Sequence, residues 1–489
     1  MTVPVNQSSN QPAVASIDIG TTSTKGLVVQ ADGKIIGSHQ EYYTTSFPQR
    51  GFAEQDPDLV FQSVVKVLKA LASKRKVSGI CFSAAMHSIM VVDKHGQPLT
   101  GLIVWSDTRS TSQADYLIHE KLSQQLYATT GTPVHPMSPL CKLMWLKENN
   151  QDAFTSAYKF ISIKEYVFFK LTGEFIIDHS TASATGLFDL NKKQWSSLAL
   201  SLAGISAEKL SRAVPVNTAI TINKEIASES GWENVPLVIG ASDGCLAQLG
   251  SQAMSEKDLS ITIGTSGAVR VASKSRMIDP NGKIFNYILD DSTFICGGAT
   301  NNGAALLSWY TMQIDSNAST DIIGFVDEVM QVPPGCQGLV MIPHVLGERA
   351  PVYNPNARGV FFGVSIEHNK QHFQRALIEG ICFQIRWIAE CTEELVGKRE
   401  RKIVSGGFTR SENWIQILSD VLGEKLTLQE TQDASGMGAI ILGFKTLQVQ
   451  ANFSSRSSKD FIPNLNAHKV YSDSFKKYKA LYSAVEKLF

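Results

Sequence analysis

Neither sign of charge prevails in this chain of 489 residues, where 45 Lys and Arg stand against 45 Asp and Glu. Without a basic excess there is no electrostatic case for nucleic acid or an anionic membrane surface as partner. No apolar run approaches the length of a membrane span. The seven cysteines, at 81, 141, 245, 296, 336, 382 and 391, form no close pair and no Cys-x-x-Cys. That excludes a disulfide framework and a thiolate zinc site, and reads as reduced core thiols in the cytoplasm. Low-complexity segments are absent. Met1 to Pro12 lack the cationic start and apolar core of a signal peptide or anchor, and are expected to form a loose tail. What remains is the composition of an ordinary globular α/β chain, too long for one core. Two domains are expected, 13–251 and 252–489, divided in the polar stretch from Gly250 to Asp258.

The chain states one motif twice. Ser16-Ile17-Asp18-Ile19-Gly20-Thr21-Thr22-Ser23 is answered half a chain later by Ser260-Ile261-Thr262-Ile263-Gly264-Thr265-Ser266-Gly267. Each copy is a short apolar strand, broken at Gly into small hydroxyl residues, that returns as Gly26-Leu27-Val28-Val29 or Ala268-Val269-Arg270-Val271. Such a hairpin tip can cradle phosphate, because Gly lets the backbone approach an anion and the turn supplies N–H and hydroxyl donors. Two tips facing across a cleft would hold one nucleotide, through Gly20, Thr21, Thr22 and Ser23 on one side and Gly264, Thr265 and Ser266 on the other. Lys25 either touches a phosphate or is a solvated or paired lysine. Only the first copy carries a carboxylate, since Thr262 stands where Asp18 does. Asp18 is therefore the expected ligand of Mg²⁺, an ion that keeps most of its waters and takes one or two carboxylates.

Around these motifs, strands and helices alternate as in an α/β domain. Asp56-Pro57-Asp58 opens a helix, Val77 to Phe82 and Ile89 to Val92 read as strands, and residues 369–397 read as a long helix. Pro236-Leu237-Val238-Ile239-Gly240 is a strand running into Ala241-Ser242-Asp243-Gly244. Locally, Asp243 would be a turn cap. At a strand end, where open α/β sheets place ligands, it becomes the candidate general base for an alcohol acceptor, which cannot ionise usefully at neutral pH. Met86, His87, Trp105 and Asp107 suit an acceptor pocket for a small polyol or sugar acid, although Trp105 also reads as core and Asp107 as the partner of Arg109. Gly406-Gly407 and Asn302-Gly303 would let a flat adenine lie on backbone, or are simply tight turns.

Together these stretches resemble the FGGY family of carbohydrate kinases, two ribonuclease-H-like domains of the actin-like ATPase superfamily with the ATP and substrate cleft between them. The resemblance runs from Ala15 to about Lys445 and includes Gly359-Val360-Phe361-Phe362-Gly363-Val364 and Ala376-Leu377-Ile378-Glu379. It implies an enzyme using ATP and Mg²⁺, with phosphate and metal binding at Asp18–Thr22 and Gly264–Ser266, Asp243 as base and Gly406-Gly407 at the adenosine. Within the family it is similar to the gluconate-phosphorylating branch, through Ser83-Ala84-Ala85-Met86-His87-Ser88, Thr130 to Met137 and Gly347-Glu348-Arg349-Ala350-Pro351. The xylulose branch usually has Gln at the place of Ala85. Gluconate would require a cation for its carboxylate, and His87, Arg109, Lys142, Lys164 and Arg349 are all available. The partners so implied are gluconate and ATP, and a homodimer is compatible. The rival readings are another sugar kinase of the family, a non-metabolic actin-like ATPase and an inactive sugar sensor.

Overall fold

The structure is a computed structural model that describes residues 11–72, 76–429, 433–453 and 458–489. The expected loose tail lies outside these residues except for Gln11 and Pro12. The first sheet is built from β1 (Ala13–Ile19), β2 (Ser23–Gln30), β3 (Ile35–Tyr42), β4 (Ile80–Ala84), β5 (Ala219–Thr221) and β6 (Pro236–Ser242), in the order β5-β6-β4-β1-β2-β3. Every residue of β1 is buried, as a central strand covered on both faces requires. Helix α1 (Pro57–Ala72) covers one of those faces with Val64, Val67, Leu68 and Leu71. Its first turn is closed by Asp56, whose Oδ1 accepts from the Asp58 and Leu59 N–H groups at 2.9 and 3.3 Å.

The second sheet repeats the first. Strands β7 (Asp258–Ile263), β8 (Gly267–Ser273), β9 (Phe285–Asp290), β10 (Thr293–Thr300), β11 (Arg401–Ser405), β12 (Leu426–Gln429) and β13 (Ser458–Phe461) lie in the order β9-β10-β8-β7-β11-β12-β13. In the first sheet β1 is antiparallel to β2 and parallel to β4, which is parallel to β6. In the second, β7 is antiparallel to β8 and parallel to β11, which is parallel to β12. The arrangement is the same, with β9 added at one edge. The long helix expected over residues 369–397 is α3 (Lys370–Val396), burying Leu377, Ile381 and Ile388, and α4 (Glu412–Leu422) follows and ends at the left-handed Gly423.

Parallel pairing gives the first sheet a working edge. Ile19 of β1 and Ser242 of β6 both pair with Ala84 of β4, so the residues that follow each strand emerge together. These are Gly20, Ala85-Met86 and Asp243. The register of β6 slips between Val238 and Ala241, around Gly240 at φ 70°. A Cβ at Gly240 would sit 1.8 Å from Phe82 O, so only Gly permits the bulge that aims Asp243. The expected strand Val77–Phe82 is realised two to three residues later, because Ser78 and Gly79 only begin the contact with β1 and the ladder starts at Ile80.

The halves are joined by two helices, α2 (Asp243–Gly250) after β6 and α5 (Ala434–Thr446) after β12. Although α5 belongs to the second half in sequence, its Met437, Ile440 and Phe444 pack on Val14, Leu27 and Val29 of the first sheet. The two helices cross backbone to backbone: a Cβ at Gly438 would lie 1.9 Å from Leu246 O, and one at Gly250 the same distance from Ala434 O. Gly438→Ala is therefore expected to force the helices apart at a cost of about 1–3 kcal/mol, seen as a lower melting temperature in thermal denaturation. A melting temperature at or above that of the wild type would contradict this crossing.

Candidate active site

Both hairpin tips line one cavity of about 360 Å³. Gly20, Thr21, Thr22, Ser23 and Lys25 come from the first tip, and Thr265, Ser266 and Gly267 from the second. Between them stand the two expected carboxylates, Asp18 and Asp243, with Met86, His87 and Trp105. Residues drawn from both halves of the sequence thus meet in one place.

Asp18 faces Lys25 across the β1–β2 pair, and its Oδ1 is buried without a hydrogen-bond partner. Its Oδ2 accepts from Ser435 Oγ at 2.6 Å, and Ser435 lies 3.2 Å from Asp433 Oδ1 at the start of α5. Burial, and then the nearby Asp433, push the Asp18 carboxyl up to about 6. One orphaned carboxylate oxygen, with the Ser435 hydroxyl and the Asp433 carboxylate close by, fits a hard divalent cation that completes its shell with water and phosphate. No group of three or more His, Cys, Asp or Glu gathers anywhere among the described residues, so an all-protein metal cage is not formed there.

Asp243 is the first residue of α2, and its Oδ1 accepts from the Gly244 N–H at 2.6 Å. Burial raises its carboxyl above the ordinary range, while the Arg270 guanidinium and that N–H hold it back. A carboxylate raised toward neutrality takes up a proton more readily, which suits a base.

At the other end of the cavity His87 is held in a left-handed backbone, φ 68°. Its Nδ1 donates to Ala184 O at 2.8 Å, which leaves Nε2 as an acceptor. Burial, with Lys142 and Arg349 near, lowers it to about 3, so it is neutral at physiological pH and no partner for a carboxylate. Trp105 ties this end to the first tip through Nε1, which donates to Thr21 Oγ1 at 2.8 Å. The structure also sorts the other candidate cations. Arg109 bonds to Asp107 and Glu54 at 2.7 and 2.6 Å and lies 3.9 Å above the Phe52 ring. Lys164 is paired with Asp178 at 2.7 Å. Lys142, fully buried, donates to His87 O and Val104 O at 2.7 and 2.8 Å, and burial lowers it to about 7. Arg349 alone of the five is both cationic and in the cavity wall.

Lys142 thus pins the two backbone segments that present His87 and Trp105. Lys142→Met leaves both carbonyls without their donor, a loss of about 1–3 kcal/mol for a buried group. The expected result is a rise of about tenfold or more in the KM for the acceptor, at that worth per hydrogen bond, with the KM for MgATP nearly unchanged. A parallel rise in both would show a general structural role instead.

Several of the expected site residues lie outside the cavity lining. Asp107 is not in the cavity: its carboxylate is wholly buried, taken up by Arg109 and by the Ala53 N–H at 2.6 Å. Asn302 spends its side chain on the loop beside it, donating to Gly347 O at 2.8 Å and accepting from Leu346 N at 3.1 Å. Gly303 sits behind the second tip, where a Cβ would lie 2.6 Å from Gly264 O. It supports that loop rather than lining the cavity. Gly264 itself closes the tip, donating from N to Ser266 O at 2.8 Å. Gly406, at φ 100°, is tucked against Ile263 O at the end of β11, whereas a Cβ on Gly407 would meet Ile322 Cδ1 at an ordinary 3.9 Å. Both stand beside the second tip but outside the cavity lining. The lining further includes Met137, Arg270, Tyr287 and Tyr353. Arg270 had a visible signal, a charge in the apolar run Ala268-Val269-Arg270-Val271, whereas the others arrive from distant loops.

Two repeated sheets whose glycine-hydroxyl tips line one cleft have the architecture of the actin-like ATPase fold, and comparison with known proteins makes this specific. Residues 13–250 match the N-terminal domain of the FGGY family of carbohydrate kinases and residues 259–447 its C-terminal domain. A gluconokinase of Bacillus subtilis (strain 168) is 37% identical over 95% of this chain and 93% of its own length. A xylulose kinase of Lactococcus lactis is 29% identical over 96% of each chain. Crystal structures of a gluconate kinase and of a xylulose kinase, both from Lactobacillus acidophilus, superpose with TM-scores of 0.91 and 0.92, each 30% identical over 97% of this chain and 98% of its own. The chain belongs to the FGGY family of carbohydrate kinases. It is an enzyme that phosphorylates a small sugar-like acceptor at the expense of ATP. No helix among the described residues is long and apolar enough to cross a membrane.

Proposed function

We propose that this kinase transfers the γ-phosphoryl group of ATP to the terminal hydroxyl of D-gluconate, giving 6-phosphogluconate and ADP in the cytoplasm. The observation that carries the gluconate reading is the difference in identity over nearly whole chains, 37% to a gluconokinase against 29% to a xylulose kinase. The likeness of fold does not separate the two, so xylulose is the comparator in every test.

In this reading Asp243 accepts the hydroxyl proton as the acceptor oxygen bonds to the γ-phosphorus. The bond from phosphorus to the bridging oxygen breaks, and its electron pair leaves with ADP. Donors of the two tips, from Thr21 to Ser23 and at Thr265 and Ser266, hold the phosphates in line. His87 Nε2 accepts from an acceptor hydroxyl, and the Trp105 ring meets the C–H face of its carbon chain. Mg²⁺, when bound at Asp18, neutralises charge on the phosphates. Closure of the halves on both substrates would exclude water, so that the phosphoryl group meets the alcohol rather than water. The test is ADP release at fixed MgATP with gluconate, xylulose, sorbitol and glycerol in turn. Gluconate is expected to give the highest kcat/KM. A preference for xylulose would overturn the gluconate reading and leave the kinase intact.

A further inference from the structure

Two guanidinium groups in the cavity wall lack a partner for their inner nitrogen. Nε of Arg270 and Nε of Arg349 are both buried and unbonded. Arg270 stands on β8, the strand that returns from the second tip. A Cβ on Gly244 would meet Met86 Cε at 3.0 Å and Arg270 Nη2 at 3.4 Å, so the guanidinium lies beside an acceptor residue and Gly244 makes room for both. Arg349 is anchored by Nη2, which donates to Thr300 O at 3.1 Å, and its guanidinium lies 4.9 Å over the Trp105 ring. Neither guanidinium forms an ion pair within 4.0 Å among the described residues. The acids in the cavity lining are Asp18, at the phosphate end, and Asp243. Outside the lining, the buried Glu348 also faces Arg349, but its oxygens accept from Thr300 Oγ1, Asn302 Nδ2 and the Asn301 and Arg349 N–H groups. In the lining Asp243 is one carboxylate for two buried cations, and its chemistry already lies with the acceptor hydroxyl.

Buried cations with no ion pair and an unbonded Nε are costly, and a site that keeps two of them is completed by an anion. Arg is also the side chain whose planar fork matches a carboxylate. We propose that Arg270 and Arg349 together clasp the carboxylate of a sugar-acid acceptor and so make the enzyme select an anionic substrate over a neutral one of the same length. The proposal rests on the sugar-acid reading given above. A neutral acceptor would leave both Nε groups unbonded and both charges uncompensated in a buried wall, so rejection is built into the empty clasp as much as attraction into the filled one.

The test compares gluconate with gluconamide, its neutral amide, at fixed MgATP. In the wild type the ratio of kcat/KM for acid over amide is expected to be about tenfold or more, the worth of a charge-assisted hydrogen bond. Equal use of acid and amide overturns the proposal without any variant. In Arg270→Gln and in Arg349→Gln the ratio is expected to collapse, each through a higher KM for gluconate. A lower kcat with the ratio unchanged would assign the guanidiniums to the phosphoryl group and overturn the clasp. Loss confined to one variant would overturn the pairing. Should the best acceptor of the wild type be another sugar acid, the gluconate reading fails, and the same comparison of that acid with its amide still decides the arginines.

Discussion

Asp243→Asn is expected to lower kcat by about 10² to 10⁴, the usual worth of a positioned base, while MgATP binds nearly as before. The residue begins α2 at the working edge of the first sheet, and burial keeps its carboxyl above the ordinary range. The amide fills the same space but takes up no proton. Because the raised group must be ionised to act, kcat in the wild type should fall as pH drops through its titration, and the variant should lose that limb. A variant retaining more than about a tenth of wild-type kcat, well outside that range, would remove Asp243 from the reaction.

The second large effect is expected at Asp18. Asp18→Asn should raise the Mg²⁺ concentration needed for half-maximal rate by at least about 10- to 100-fold, as disturbing a metal site typically does. Thr262→Ala, at the matching place in the second tip, should change it little, since among the described residues the Thr262 hydroxyl hydrogen-bonds with Ser405 Oγ, at 3.0 Å, and with no carboxylate. The Asp18 carboxyl is raised from 3.8 to about 6, so burial favours its protonated form. Its contribution to stability is therefore present below about pH 3.8 and lost as pH rises through about 6. In EDTA at pH 7.5 the asparagine variant should melt higher than the wild type, and added Mg²⁺ should stabilise only the wild type. Equal Mg²⁺ titrations for Asp18→Asn and Thr262→Ala would contradict the asymmetry between the tips.

Much of this site is legible because local chemistry writes it locally. The apolar strand, the Gly and the run of hydroxyl residues specify a hairpin tip from eight residues, and repetition half a chain later shows that two tips belong together. Asp243 is readable because a strand end next to Gly is a place where sheets meet ligands. What is hidden depends on contacts distant in sequence. Arg109 was readable as the partner of Asp107, but nothing around Asp107 says that the Ala53 N–H also takes up its carboxylate. Nothing near Asn302 reveals the 346–347 loop that takes its amide. The helices between residues 111 and 203 bring Lys142 under His87, and their short amphipathic runs do not disclose that destination. Gly250 and Gly438 could each end or loosen a helix, and only their crossing shows that they admit backbone. Arg270 is the instructive case, because its charge in a buried strand was visible while its purpose required the cavity.

The most direct test of the whole account is a competition in one vessel. Equal concentrations of gluconate and xylulose are offered with limiting MgATP, and the phosphorylated products are counted by phosphorus-31 NMR or mass spectrometry. Their ratio equals the ratio of the two kcat/KM values and is independent of enzyme concentration. The account predicts that 6-phosphogluconate dominates. Dominance of xylulose phosphate, or ADP formed without either phosphate ester, would contradict it.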